Sequence, residues 1–185
     1  MNLTDLEGLI TPEVGDTLAR YASQVPPTEA VVEVGSYKGK STCYLAAGAG
    51  PNGAKVYAFD AWDLAGNQTG RFGFADPTTY EVFRSQVKAM HFSRRIKATK
   101  TFGHVAAQTW GGPPVGLLFV DADHEAGSVI RDGEAWTPHL AAGATVILDD
   151  LDTPKNPGVR VAADHLARTW GPYEVEAERL AVFRP

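Results

Sequence analysis

A chain of 185 residues with one cysteine cannot close an internal disulfide, and most thiolate metal centres are excluded with it. Cys43 falls within a predicted helix and reads as a small buried residue. Basic clusters are equally scarce. There are 17 Lys and Arg against 22 Asp and Glu, for a net charge of −5, and the pair Arg94-Arg95 is too short to form a nucleic-acid-binding surface. No run of about 18 apolar residues is present to span a membrane. Met1-Asn2-Leu3-Thr4-Asp5 lacks the basic start and apolar stretch of a signal peptide, so a cytoplasmic chain is expected. Repeats, low-complexity tracts and linkers are missing too. What is there, 44% hydrophobic residues and 19 glycines, fits one folded domain over residues 1–185.

Thr11-Pro12-Glu13 supplies an N-cap, a first-turn proline and an acidic first turn, opening a helix that stops at Pro26-Pro27. Strands are expected at Ala30 to Val34, Lys55 to Phe59, Arg95 to Thr99, Val115 to Val120 and Ala144 to Leu148. Helices are expected at Lys38 to Ala49, Thr79 to His91, Phe102 to Trp110, Val129 to Leu140 and Val159 to Trp170. Tyr173 to Val175 and Leu180 to Phe183 pair as a terminal hairpin. Alternating strands and helices predict a three-layer α/β/α sandwich. Its Rossmann-like, seven-stranded sheet would be mainly parallel, with the hairpin as an antiparallel edge.

Three of the apolar runs end in carboxylates: Val31-Val32-Glu33, Phe119-Val120-Asp121-Ala122-Asp123-His124, and Ile147-Leu148-Asp149-Asp150. Open parallel sheets bind ligands at the carboxyl ends of their strands. Carboxylates gathered along one such edge point to a polar ligand, a metal ion, or both. Gly39-Lys40-Ser41 imitates the end of a P-loop, but that pattern needs a glycine where Val34 stands. The dinucleotide fingerprint also fails, because Tyr37 replaces its second glycine.

The pattern that fits is Glu33-x-Gly35-x-x-x-Gly39-x-Ser41, which resembles motif I of the class I S-adenosylmethionine-dependent methyltransferases. The resemblance implies that Gly35, Ser36, Gly39 and Ser41 carry the cofactor loop, with the methionine carboxylate at the helix start near Lys38. It further implies Glu33 on the cofactor's amino-group side and Asp60, 27 residues on, at the ribose hydroxyls. Trp62, Thr101 and Phe102 become candidates for the adenine pocket.

Asp121-Ala122-Asp123-His124 followed by Asp149-Asp150 is similar to the small metal-dependent O-methyltransferases, especially the branch that modifies sugars and aromatic groups of bacterial natural products. The similarity runs from about Pro27 to Leu151. It implies Mg²⁺ on Asp121, Asp149 and Asp150, with Asp121 also beside the cofactor, and His124 or Asp123 as general base. His124 is the favoured base, with Asp123 as rival or as its orienting partner. Acidic residues after the fourth strand also occur in metal-independent class I methyltransferases, and in that alternative Asp150 simply caps a following turn. His91, His104, His139 and His165 read as helix or surface residues, and Asp132, Glu134 and Trp136 as packing and solvated-face residues.

Residues 61–78, which hold Trp62, Phe72 and Phe74, are the candidate lid, and the N-terminal helix within residues 1–27 is a second wall. A site completed by a second copy of the chain is compatible with so short an N-terminal region. The sequence thus predicts a Mg²⁺-assisted O-methyltransferase for a small hydroxylated acceptor, with no nucleic-acid or membrane partner. A metal-independent methyltransferase is the alternative, and a P-loop protein a more distant one.

Overall fold

The computed structural model describes residues 1–62, 78–153 and 156–185. Seven strands form one sheet in the order β3-β2-β1-β4-β5-β7-β6. β1 (Ala30–Val34), β2 (Lys55–Asp60), β3 (Ile96–Lys100), β4 (Val115–Val120) and β5 (Leu140–Leu148) run parallel. β6 (Tyr173–Glu176) and β7 (Leu180–Phe183) close the sheet as an antiparallel hairpin, with β7 against β5. The expected sandwich and its hairpin edge are therefore present.

The alternation of side chains explains the two cores. Every residue of β4 is buried, because a central parallel strand is covered on both faces. Leu117 and Phe119 join Val31, Val56 and Ile147 under α1 (Pro12–Ala22) and α2 (Lys40–Ala49). Leu118 and Val120 join Val32, Val146 and Leu148 on the other face, under α4 (Gly103–Gln108), α5 (Ala126–Trp136) and α6 (Pro157–Trp170). α3 (Thr79–Ala89) packs Phe83 and Val87 against Cys43, Ala58 and Trp62. Cys43 is the buried residue the sequence predicts, and burial pushes its thiol up to about 12. Among the described residues, no helix is long and apolar enough to cross a membrane.

Several boundaries differ from expectation for local reasons. α2 starts at Lys40, not Lys38, because Tyr37 and Gly39 both have positive φ (45° and 87°) and break the helical path. The helix expected to reach Leu140 ends at Trp136; a short 3₁₀ turn, Thr137–His139, follows, with Pro138 lacking the N–H a continuing helix needs. β5 then begins at Leu140, four residues early, by pairing with Val115 through an irregular register. Thr11 does cap α1, accepting a hydrogen bond from the Val14 N–H at 3.3 Å.

Strand order reverses direction between β1 and β4, the two neighbours from which the chain winds to opposite sides. A crevice opens at such a switch point, outside the carboxyl ends of the strands.

Candidate active site

A cleft of about 540 Å³ occupies that position. Its walls come from the loop after β1, the ends of β2, β3, β4 and β5, Arg179 from the hairpin, and residues 8–10 ahead of α1. The N-terminal wall is thus the segment preceding the helix and not the helix itself. Of the candidate lid, Phe72 and Phe74 lie outside the described residues.

The loop after β1 is held from below and from the side. Gly35 has φ +90°, and a Cβ there would stand 2.2 Å from the Asp121 carbonyl oxygen, so β1 and β4 can approach this closely only at glycine. Asp60 Oδ2 accepts the N–H groups of Ser36 and Tyr37, each at 2.8 Å, and Oδ1 accepts that of Trp62 at 2.6 Å. Asp60 lines the cleft, yet a ribose diol would share oxygens already engaged with the backbone. Trp62 is buried against Tyr80 and Phe83, and its Nε1–H donates to the Tyr37 carbonyl at 2.8 Å. It contributes to the cleft wall as a loop clamp.

Glu33 departs from its expected place. It is fully buried beneath the loop, outside the cleft lining, where it accepts hydroxyl hydrogen bonds from Ser36 and Thr42. Burial pushes its carboxyl up to about 7, against the hydroxyls of Ser36, Ser41 and Thr42. Gly39 likewise faces the Phe83 ring and not the cleft, whereas Ser36 and Ser41 do line it. Thr101 and Phe102 form the wall beyond β3, where Phe102 is half exposed and stacks on His104.

Asp132 and His104, which also line the cleft, have roles the sequence reading missed. Asp132, read there as a helix-face residue, is buried and lines the cleft; its Oδ1 accepts the His104 N–H at 2.7 Å and lies 3.3 Å from Nδ1. A signal existed: Asp132 lies three residues after Val129 and four before Trp136, on the buried stripe of α5.

At the ends of β4 and β5, Asp121, Asp149, Asp150 and His124 do come together. His124 Nε2 is 3.4 Å from Asp121 Oδ1 and 3.2 Å from Asp150 Oδ2. Asp123 Oδ1 accepts the Glu125 N–H at 3.1 Å, so the carboxylates flanking the imidazole are Asp121 and Asp150. Burial, reinforced by the charge of Asp149, pushes Asp121 up to about 7, with His124 opposing. For His124, burial alone disfavours the charged ring, but the Asp121 hydrogen bond and the charges of Asp121, Asp150 and Asp149 outweigh it and raise the pKa.

The sequence reading also missed Arg179. Its Nε donates to Asp149 Oδ1 at 2.7 Å and its Nη2 to Oδ2 at 2.9 Å, a bidentate pair on a carboxylate with no exposed side-chain surface. Nη2 also contacts Asp150 Oδ1, while Asn156 donates to Asp150 Oδ2. These residues do not fit the Mg²⁺ site that the resemblance implies. Mg²⁺ demands near-octahedral oxygen ligation, and here a guanidinium holds both oxygens of one expected ligand and one of another. Among the described residues, no group of three or more His, Cys, Asp or Glu is placed to hold a metal ion.

Residues 32–151 match a family described as a methyltransferase domain. The fold is shared with cofactor-bound Rv0187 from MTB at TM-score 0.74 and 20% identity, over 98% of this chain and 84% of that one. CalS11, a TDP-rhamnose 3'-O-methyltransferase of calicheamicin biosynthesis, superposes at TM-score 0.63 and 23% identity, over 92% and 77%. The O-methyltransferase from Bacillus cereus, in complex with SAH, does so at TM-score 0.68 and 17% identity, over 95% and 80%. With the family match covering well over half its length, this chain belongs to the methyltransferase-domain family.

Proposed function

We propose that the chain methylates a hydroxyl oxygen of a small acceptor, with His124 as the general base. The observation that carries this reading is the position of His124 Nε2 between two carboxylates at the end of β4, in the same cleft as the Gly35 loop. Bound S-adenosylmethionine supplies an electrophilic methyl on a sulfonium sulfur. Gly35 and Ser36 hold the loop close enough for that ligand, and Asp60 fixes the loop's N–H groups. With its Nε2–H turned to Asp121 and Asp150, His124 takes the acceptor's hydroxyl proton at the other ring nitrogen, Nδ1, as the oxygen–methyl bond forms and the sulfur–methyl bond breaks. The neighbouring carboxylates stabilise the imidazolium that results. Asp121, Asp149 and Asp150 are the residues through which the resemblance would assist the acceptor with Mg²⁺. Because Arg179 engages two of them, the metal-independent alternative is the better supported here.

The test incubates the protein with S-adenosylmethionine and a panel of hydroxylated sugars and phenols, following S-adenosylhomocysteine release and product mass. Transfer to oxygen is expected, with His124→Ala slowing kcat by about 10²–10⁴-fold while S-adenosylhomocysteine affinity is kept. Transfer confined to amine acceptors, or a His124→Ala enzyme of undiminished kcat, would overturn the proposal. Asp123→Ala separates the rival base.

A further inference from the structure

The hairpin reaches the carboxylates by register. Leu148 of β5 pairs with Ala181 of β7, so in an antiparallel ladder the position two beyond Leu148, Asp150, comes opposite Arg179. The Leu151 N–H donates to the Arg179 carbonyl at 2.9 Å, and the Arg179 N–H to the Glu176 carbonyl at 3.2 Å. Ala177 and Glu178 between them both take positive φ, at 47° and 60°, a tight hairpin turn built without glycine. Backbone bonds on both sides thus fix the position from which the guanidinium enters the cluster.

We infer that Arg179 is the resident cation of this cluster, occupying the place of the divalent ion that the sequence resemblance implies and excluding that ion from this chain. The inference rests on the methyltransferase reading. An arginine stays charged at any working pH. A divalent ion reaching Asp149 would have to strip both of its oxygens from Arg179 and then sit beside the displaced guanidinium. Through Asp150, whose other oxygen lies 3.2 Å from His124 Nε2, Arg179 is also a positioning residue for the base.

The test is a Mn²⁺ titration of the full chain with S-adenosylhomocysteine present, read from the electron paramagnetic resonance of the aquated ion. The wild type and Arg179→Lys are expected to leave that signal unchanged. Arg179→Met, which keeps bulk and removes charge, is expected to bind Mn²⁺ at least about tenfold more tightly, as cation affinity follows ligand charge. Stoichiometric Mn²⁺ uptake by the wild type overturns the inference, as does uptake by Arg179→Lys or an Arg179→Met protein that binds no more than the wild type. Should Arg179→Met not fold, the first two titrations still decide. Calorimetry of S-adenosylhomocysteine on the same wild-type sample keeps the two readings apart. Failure to bind there overturns the methyltransferase reading, whereas Mn²⁺ uptake overturns only the role of Arg179.

Discussion

Glu33 places a carboxyl group with no solvent exposure directly under the loop that follows β1. Its pKa rises from 4.5 to about 7 because burial disfavours the charge more than the three hydroxyls favour it. A raised folded-state value means that the fold prefers the protonated form. The stabilising contribution is complete below 4.5 and is lost as pH climbs through about 7. The span corresponds to a few kcal/mol, on the order of 3, at the usual conversion. Glu33→Gln retains an acceptor for Ser36 and Thr42 without the charge. It is expected to unfold at higher denaturant than the wild type at about pH 8, with the gap closing toward about pH 5. A gap that stays constant across that range would refute the assignment. In its proposed role as general base, His124 has a raised pKa, which would make it a stronger base that works only when neutral. The kcat profile should climb through a midpoint above 6.5, and Asp150→Asn, by removing a flanking carboxylate, should move that midpoint down. An unmoved midpoint would exclude Asp150 as a source of the shift. Single residues also mark the limit of sequence reading. Asp121, His124, Asp149 and Asp150 were legible because each follows an apolar run that ends at the same sheet edge. Arg179 was not, because nothing near it in sequence records that a hairpin turn sets it opposite Asp150.

Among the elements, the α1–α2 pair shows how packing overrides intrinsic preference. Gly48 lies within α2, where alanine would favour the helix by about 1 kcal/mol. A Cβ at Gly48 would lie 2.1 Å from the Ala19 carbonyl oxygen of α1, and one at Gly15 would lie 2.6 Å from the Tyr44 ring. Two helices therefore approach across a pair of glycines. Overpacking typically costs about 1–3 kcal/mol and here meets backbone, which cannot swing aside. Gly48→Ala is expected to lower the stability of the chain by roughly 1–2 kcal/mol in spite of its better helix propensity. Equilibrium denaturation checks this, and a more stable variant would show that α1 shifts freely. The helices themselves were legible from their caps and periodicity, as with Thr11 and Pro12 opening α1. Their mutual approach was not, because a glycine in a helix pattern says only that a side chain is absent. The start of β5 was hidden for a related reason. Leu140-Ala141-Ala142-Gly143 has little β propensity and becomes strand through its pairing with β4.

For the molecule as a whole, the cleft draws its walls from β1, β2 and β3 on one side of the strand-order reversal and from β4, β5 and the hairpin on the other. A ligand seated there touches both halves of the sheet, so its binding energy is available only to the folded state. At a concentration 100 times its Kd, such a ligand stabilises by about 2.7 kcal/mol. In a chain of this size each kcal/mol raises Tm by about 2–4 °C. S-adenosylhomocysteine at that excess should therefore raise Tm by roughly 5–10 °C. ATP at the same concentration should not, because the loop lacks the glycine a phosphate cradle requires at Val34. Gly35→Ala provides the internal control. It forces a side chain onto the Asp121 backbone at a left-handed position, so it should lower the unliganded Tm and also abolish the ligand-induced rise. Equal rises with ATP and S-adenosylhomocysteine would return the loop to nucleotide binding. A Gly35→Ala protein that keeps the full S-adenosylhomocysteine shift would move the cofactor away from the junction of β1 and β4.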